Sequence, residues 1–163
     1  MVEQAEYEVL QKLGNNVEIR KYPEQLVAKT SMKSGTNGSF GEIANYIFGK
    51  NANSKEIPMT APVVNNRVEM YFFMPREYGL KSLPKPKSGD VKIGKLPKRM
   101  VAALRFSGFW TDGSRIRNES MLIDMVRKSG FAAVGAPFFM RYDPPWQLPF
   151  FRRNEVAVIV RKK

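Results

Sequence analysis

The sequence predicts an α+β fold: one antiparallel sheet that closes on itself, built from two pseudo-symmetric halves, with two flanking α-helices. Three observations indicate this fold. The segment 17–28 recurs at 91–102 with the same residue at half of its positions. Short segments of alternating apolar and polar residues are typical of strands with one buried face. Finally, one amphipathic helical segment follows each copy of the repeat, so each half carries one helix.

We expect each copy of the repeat to form a β-hairpin. In the first copy Val17, Ile19 and Lys21 alternate as in a strand, and Pro23 marks a turn into a second strand. The second copy repeats this pattern, with its turn at Pro97. Further strands are predicted over residues 7–13, 57–63, 68–74, 138–142 and 155–161.

The first helix is predicted to begin at Ser39, because Ser39 and Glu42 have the spacing of a capping box. It ends at Gly49, and its apolar residues recur at spacings of three and four, which predicts one buried face: Ile43, Ala44, Ile47 and Phe48. The second helix is predicted over 116–128. The Pro-, Lys- and Ser-rich segment 83–90 is interpreted as the connector between the two halves.

The composition bounds the size and the chemistry of the protein. Its 163 residues fit one domain, 1–163, with a single core. The chain has no Cys and no His. These absences exclude a Cys/His zinc site, a Ser-His-Asp triad, disulfides and histidine-ligated haem. We also find no pair of carboxylates suited to acid–base catalysis. Any metal would need carboxylate, Lys, Tyr or Met ligands, and no metal site is predicted.

The formal net charge of +12 favours anionic partners: nucleic acid, a phospholipid surface or a ligand with carboxylates. The first six residues are acidic and polar, unlike a secretory leader, and we expect a cytoplasmic protein. No segment approaches the ~18 consecutive apolar residues that a membrane-spanning helix needs. The oligomeric state is left open.

Six short motifs along the sequence resemble those of a known family. They are YEV at 7–9, VEIRKY at 17–22, YIFGKN at 46–51, KEIPMTAPV at 55–63, YDPPW at 142–146 and RRNEV at 152–156. In this order they resemble the SOUL haem-binding proteins, from about Tyr7 to the end of the chain. The resemblance implies a distorted β-barrel with two flanking helices. It also implies reversible binding of haem or a related tetrapyrrole beside the first helix, without catalysis.

The sequence departs from this family in one respect. Some relatives ligate the haem iron through a His that aligns with Lys21, and this chain has none. We therefore expect haem to be held mainly by apolar contacts, with its propionates drawn to basic side chains. Candidates for those carboxylate contacts are Arg20, Lys21, Lys50 and Lys55, although all four could be solvated surface charges. The basic residues that bind propionates in relatives do not map onto the first helix, where Asn37 and Asn45 stand instead.

The candidate residues for the macrocycle are mostly apolar. The first helix supplies a possible platform for the ring: Phe40, Ile43, Ala44, Ile47 and Phe48. The same side chains could instead pack on the sheet, as amphipathic helices usually do. Met59 could lie against the ring or fill the core. Trp146 could cover the pocket as an aromatic wall or anchor its own Pro-rich loop.

Two other functions remain open at this stage. The basic charge would suit an adaptor for nucleic acid or an acidic partner, but no helix-turn-helix, RNA-recognition or zinc pattern accompanies it, so nucleic acid is not the expected partner. The fold also resembles the effector-binding domains of gyrase-inhibitor-like proteins, which hold flat or cationic small molecules. An effector-binding domain for another planar molecule is therefore a further alternative.

Overall fold

The computed structural model describes residues 2–144 and 146–163. The chain divides into two compact units, and each combines two separate segments. The first unit contains the N-terminus up to Ala5 and residues 24–97, and the second contains residues 6–23 and 98–163. The chain therefore passes between units after each of the repeated prolines, Pro23 and Pro97. The predicted connector 83–90 directly precedes the second copy of the repeat and lies inside the first unit, where Leu83 belongs to the core.

The secondary structure follows the predicted order of strands and helices. The strands are β1 (Glu3–Gln4), β2 (Glu8–Leu13), β3 (Val17–Tyr22), β4 (Gln25–Ser31), β5 (Thr60–Ala61), β6 (Val63–Asn65), β7 (Glu69–Phe73), β8 (Lys92–Leu96), β9 (Arg99–Phe106), β10 (Phe131–Arg141) and β11 (Asn154–Lys162). The helices are α1 (Gly35–Ile47) and α2 (Asp112–Arg127). Two short 3-10 turns, Met32–Ser34 and Pro149–Phe151, lie in loops.

The first unit is an antiparallel sheet with the strand order β6-β7-β4-β8, covered on one face by α1. The short strands β1 and β5 pair separately, in parallel. The core between α1 and the sheet is apolar, as expected when an amphipathic helix covers one sheet face. Its buried members are Ala28, Ile43, Tyr46, Ile47, Ile57, Met70, Phe72, Met74, Leu83 and Val91.

The second unit repeats this plan with one more strand. Its order is β2-β3-β9-β11-β10, and α2 packs on β9, β10 and β11. The alternation predicted for the last strand is confirmed, since Val156, Val158 and Val160 are buried. The other buried members of this core are Val17, Ile19, Ala102, Leu104, Leu122, Val126, Phe131 and Phe139.

The predicted hairpins are wrong, because each strand of the repeat pairs with the other copy. In the second unit β3 pairs with β9, and in the first unit β4 pairs with β8. Glu18 lies opposite Ala103 in one pairing, and Lys92 lies opposite Lys29 in the equivalent one. Since the two copies have the same apolar pattern, a hairpin within a copy and a pairing between copies bury similar residues. The sequence alone therefore could not distinguish them.

The predicted helix starts are also corrected. α1 begins at Gly35, so the capping box at Ser39 is wrong. Ser39 is buried inside the helix, where its hydroxyl donates to the Ser31 carbonyl at 2.7 Å. α2 begins at Asp112, four residues before the predicted start, because the Thr111 side chain accepts a hydrogen bond from the Ser114 amide at 3.1 Å.

The α+β class and the antiparallel strands are confirmed, together with two α-helices in the described part of the chain. Neither unit's strand order returns to its first strand by hydrogen bonding between described residues, so a closed barrel is not confirmed. The single-domain assignment of 1–163 stays a prediction. No described helix combines the length and apolar character that crossing a bilayer requires.

The two helix starts give a matched test of capping. Replacing Thr111 by Ala removes a side-chain acceptor that the structure shows, and we expect a loss of ~1 kcal/mol in the free energy of unfolding. Ser34 stands at the N-cap of α1 without a side-chain capping bond. Ser34→Ala should therefore change stability by only a few tenths of that amount. Urea unfolding of both variants measures the difference, and equal losses would contradict the assigned caps.

Candidate ligand-binding site

The inner face of α1 is filled by the protein's own side chains. Ile43 and Ile47 are 0% and 1% exposed, and both belong to the apolar core of the first unit with Phe72 of the sheet. Ala44 is 7% exposed. The space beneath the helix is thus packed, and a ligand ring has no room between α1 and its own sheet.

Two aromatic side chains, one within α1 and one just after it, are partly exposed, although the Phe40 ring also packs on the buried Phe72 with 5.3 Å between ring centres. Phe40 is 41% and Phe48 is 64% exposed. They lie eight residues apart, which places their backbones about 12 Å apart along the helix axis. Ala44 stands midway between them, and beside it a Cβ built on Gly41 would meet no atom within 4 Å. Two partly exposed rings therefore flank a segment in which there is open space at Gly41, while Ala44 is nearly buried.

A cleft of about 480 Å³ is lined by the side of the helix that carries Asn45, and neither Phe40 nor Phe48 lines it. It lies between α1 and the segment before β8. Its wall includes Tyr46, whose hydroxyl donates to the Pro84 carbonyl at 2.6 Å. Burial, together with the neighbouring Tyr78, raises the pKa of Tyr46 to about 12, so this phenol remains a neutral donor. The lining residues are Glu42, Asn45, Tyr46, Gly49, Lys50, Pro86, Lys87, Ser88 and Val91.

The charged groups of the cleft have opposite signs. Lys50 and Lys87 bring two ammonium groups to its wall, and Glu42 brings one carboxylate. Both lysines are exposed to solvent. The cleft can therefore attract a ligand carboxylate at the lysines and repel one at Glu42.

Asn51 fixes the chain just after the helix. Its side chain is 0% exposed, and its amide nitrogen donates to the carbonyls of Tyr46 and Lys55 at 3.0 and 2.7 Å. Its amide oxygen accepts from the backbone of Asn53 and Lys55. This residue shapes the loop beside the cleft. It lies inside the YIFGKN motif, but nothing in the sequence indicates its role, because a buried Asn has no distinctive spacing.

Met59 lies in the same unit, half-buried and packed against the core cluster. The first unit thus contains six of the predicted site residues: Phe40, Ile43, Ala44, Ile47, Phe48 and Met59. The other three, Arg20, Lys21 and Trp146, belong to the second unit. Lys21 is exposed on β3, and Trp146 is 84% exposed.

Arg20 is buried on a carboxylate of its own unit. It is 2% exposed, and two of its guanidinium nitrogens donate to the two oxygens of Glu155 at 2.7 and 2.6 Å. A third nitrogen donates to Glu18 at 2.9 Å. Arg153 also donates to Glu155, at 3.2 Å. The Arg20 guanidinium is therefore committed to internal partners rather than to a ligand carboxylate.

The charges of this cluster set its ionisation. Burial alone would raise the pKa of Glu155, but hydrogen bonds from Arg20 and the charges of Arg20 and Arg153 outweigh it and hold that pKa below its ordinary value. Burial raises the pKa of Tyr142, with the charge of Glu155 adding to it. Glu155 is therefore ionised at neutral pH and Tyr142 is a neutral phenol.

Among the described residues, no three Asp or Glu side chains lie close enough together to hold a metal ion. The site is therefore an apolar surface with basic groups nearby.

The comparison with protein families gives one match. The model described as "SOUL heme-binding protein" matches residues 2–159. A comparison with curated protein sequences gave no match.

Solved structures share the fold at low sequence identity. The C-terminal domain of EcmrR is 14% identical, with a TM-score of 0.67 over 96% of this chain and 99% of that one. EcmrR in a cryo-EM structure of its DNA complex is also 14% identical, with a TM-score of 0.66 over 90% of this chain and 57% of that one. At this identity the likeness shows the fold alone.

The buried cluster predicts an acid-sensitive contribution to stability. Glu155→Gln leaves two guanidiniums without their shared carboxylate, and we expect a loss of roughly 3–5 kcal/mol at pH 7. Glu18→Gln is the matched control, since Glu18 is partly exposed and its loss should cost below ~1 kcal/mol.

The pH dependence has a definite sign. Because the folded pKa of Glu155 is depressed, its contribution is present above the ordinary value of 4.5 and is lost as the pH falls through the folded pKa. Urea unfolding from pH 7 to pH 3 should show the wild type losing its advantage over Glu155→Gln on acidification. A constant difference across this range would contradict the ionised pair.

Proposed function

Because this chain belongs to the SOUL haem-binding protein family, we propose that it binds haem or a related tetrapyrrole on the exposed face of α1, without a histidine ligand. The observation that carries the proposal is the exposed pair Phe40 and Phe48 around Gly41 and Ala44. A flat ring can approach the backbone closely between two aromatic side chains. The role is binding, for transport, buffering or sensing, rather than catalysis.

The packing of α1 decides on which side the ring lies. Ile43 and Ile47, which the sequence offered as part of the platform, are already enclosed in the core. Only the outer residues of the helix can contact a ligand. We therefore narrow the platform to the exposed parts of Phe40 and Phe48, with Gly41 as the point of closest approach.

The magnitude of the apolar contact sets what else is needed. A porphyrin that buries roughly 400 Å² of apolar area at ~25 cal/mol/Å² gains about 10 kcal/mol. Contact on one face alone gives about half of that, against an association cost of at least ~4 kcal/mol. The apolar contact alone thus holds the ring weakly. Micromolar affinity requires the propionates to contribute as well.

Lys50 and Lys87 are the groups we propose for the propionates. They line the cleft that Tyr46 and Gly49 also line, and in this proposal a ring at Phe48 directs its carboxylates toward them. They take the place of Arg20, which is bonded to Glu155. Lys21 and Trp146 stay predictions, as a basic contact and as a lid.

The iron plays a minor part in this proposal. The chain has no His and no Cys, and Met59 packs against the core of its unit. The bound group supplies a planar apolar surface with two carboxylates, and the chain's residues recognise those features. Binding of another planar anionic molecule at the same face is the alternative, and iron-free planar dyes can test it.

The first test is a hemin titration followed by the Soret band. We expect saturable one-to-one binding, weakened about tenfold by Phe48→Ser, because about half of a Phe side chain's burial is lost. Val68→Ser is the matched control: Val68 is 73% exposed in the same unit, outside the helix face, and should leave the affinity unchanged. No spectral change at all, or equal effects of both variants, would reject the helix-face site. In that case a titration with iron-free planar dyes would test the alternative.

A second test separates charge from shape. Lys87→Gln should weaken hemin binding a few-fold, and Glu42→Gln should strengthen it by a similar factor, because the two groups have opposite charges in one cleft. Both substitutions are close in volume to the native residue, and both effects should shrink as salt is raised. Changes of the same sign would show that the propionates lie elsewhere.

A further inference from the structure

The second unit carries an exposed aromatic surface that the proposed haem site does not use. Five large apolar side chains on two loops are each more than half exposed, from 52% for Leu148 to 84% for Trp146. We call this surface the aromatic loop face: Phe109, Trp146, Leu148, Phe150 and Phe151. Apolar groups gathered at this density are unusual on a water-facing surface and indicate an interaction site.

Backbone and side-chain hydrogen bonds support the two loops of this face. The Gly108 amide donates to the Pro149 carbonyl at 2.8 Å, and the Asn154 side chain donates to the Gly108 carbonyl at 3.1 Å. The Arg152 side chain donates to the Gln147 carbonyl at 2.9 Å. Its guanidinium carbon lies 5.8 Å from the centre of the Phe109 ring. The aromatic side chains therefore project from one supported region rather than from independent loops.

The high exposure of these side chains describes the shape of the face. A side chain inside a groove is shielded by the groove walls, whereas side chains more than half exposed stand on a convex surface. Small-molecule sites are concave and enclose most of their ligand. A convex apolar surface instead suits a deformable partner into which it can insert. The boundary between lipid head groups and acyl chains is such a partner, and Trp is enriched there.

A group of arginines lies beside the aromatic loop face. The guanidinium carbon of Arg141 lies 4.5 Å from the centre of the Trp110 ring, and its buried Nε has no hydrogen-bond partner among the described residues. Burial lowers the pKa of Arg141, and the positive charges of Arg115 and Arg152 lower it further. Arg115 has one exposed partner, Asp112, at 3.2 Å. The positive charges gathered here favour an anionic partner.

The sequence of the two loops agrees with this charge. Residues 107–111 and 144–152 contain no Asp or Glu. The nearest acidic residue after the first loop is Asp112, which pairs with Arg115, and the residue before the second is Asp143, which accepts from the Arg153 amide. The protruding part of the face is thus free of negative charge, as contact with anionic head groups requires.

We propose that the aromatic loop face docks on membranes that contain anionic phospholipids. The aromatic side chains enter the head-group region, and Arg141, Arg115 and Arg152 attract the lipid phosphates and carboxylates. Each basic residue close to such a surface raises the affinity roughly fivefold. The interaction is peripheral and reversible, and it is separate from the proposed porphyrin face on α1.

The test uses the full chain without porphyrin and vesicles of phosphatidylcholine with or without phosphatidylserine. We expect cosedimentation with the anionic vesicles only, weakening as salt is raised. Of the two Trp residues, Trp146 is exposed and Trp110 is stacked on Phe106. Brominated acyl chains should therefore quench the emission of the wild type. Quenching should be clearly weaker in Trp146→Phe, which keeps an apolar ring at this position and leaves only the partly buried Trp110.

Matched variants locate the contact. Phe150→Ser with Phe151→Ser should lower vesicle binding at least tenfold. Val68→Ser with Leu80→Ser, at two exposed apolar positions of the first unit, should leave it unchanged. Arg141→Gln should reduce the preference for phosphatidylserine about fivefold, while Arg67→Gln, on the exposed surface of the first unit, should not.

Four results would overturn the proposal: no binding to anionic vesicles, equal binding to neutral ones, quenching that is undiminished in Trp146→Phe, or equal losses in the two double variants. Binding of soluble glycerophosphate in the absence of vesicle binding would show an anion site without a membrane role. Self-association that the Phe150/Phe151 variant abolishes, again without vesicle binding, would identify a protein interface instead.

Discussion

Each unit is held together by a pairing between the two copies of the sequence repeat. Strand β3 of one copy lies on β9 of the other, and β4 lies on β8. Since each unit's sheet needs a strand from both halves of the sequence, neither half can complete its sheet alone. The helix that follows in each unit then covers the sheet with its apolar face. In the first unit this cover uses Ile43 and Ile47, whereas the adjacent Phe48 stays exposed.

Local patterns predicted most of the elements. The alternation of Val156, Val158 and Val160 predicted a strand, and the spacing of Ile43 and Ile47 predicted a buried helix face; both are confirmed. These predictions succeeded because they depend on residues close in the chain. Strand partners depend on distant residues, and two similar copies offer two equivalent partners, so the hairpins were wrong. The apolar residues of α1 were predicted both as core and as a platform for the ring. Periodicity does not show how much of the helix surface the sheet covers.

The site shows the same limit. Arg20 was a candidate for binding a ligand carboxylate because the sequence shows that it is basic. The sequence does not show which carboxylate it pairs with. Its carboxylate, Glu155, is 135 residues away in the chain. Likewise, the exposure of Phe48 and the enclosure of Ile47 could not be separated in the sequence, although the two residues are adjacent. Composition was more reliable, since the absence of His excludes an imidazole ligand whatever the fold.

The location of a bound ring tests the central claim most directly. Amide shifts recorded by NMR during titration with iron-free protoporphyrin report ring position through ring currents, without any contribution from iron ligation. We predict that the largest shifts fall on Phe40, Gly41, Ala44 and Phe48, and that the strands of the second unit change little. Largest shifts at β11 or elsewhere in the second unit, or no saturable shifts at all, would contradict binding on the outer face of α1.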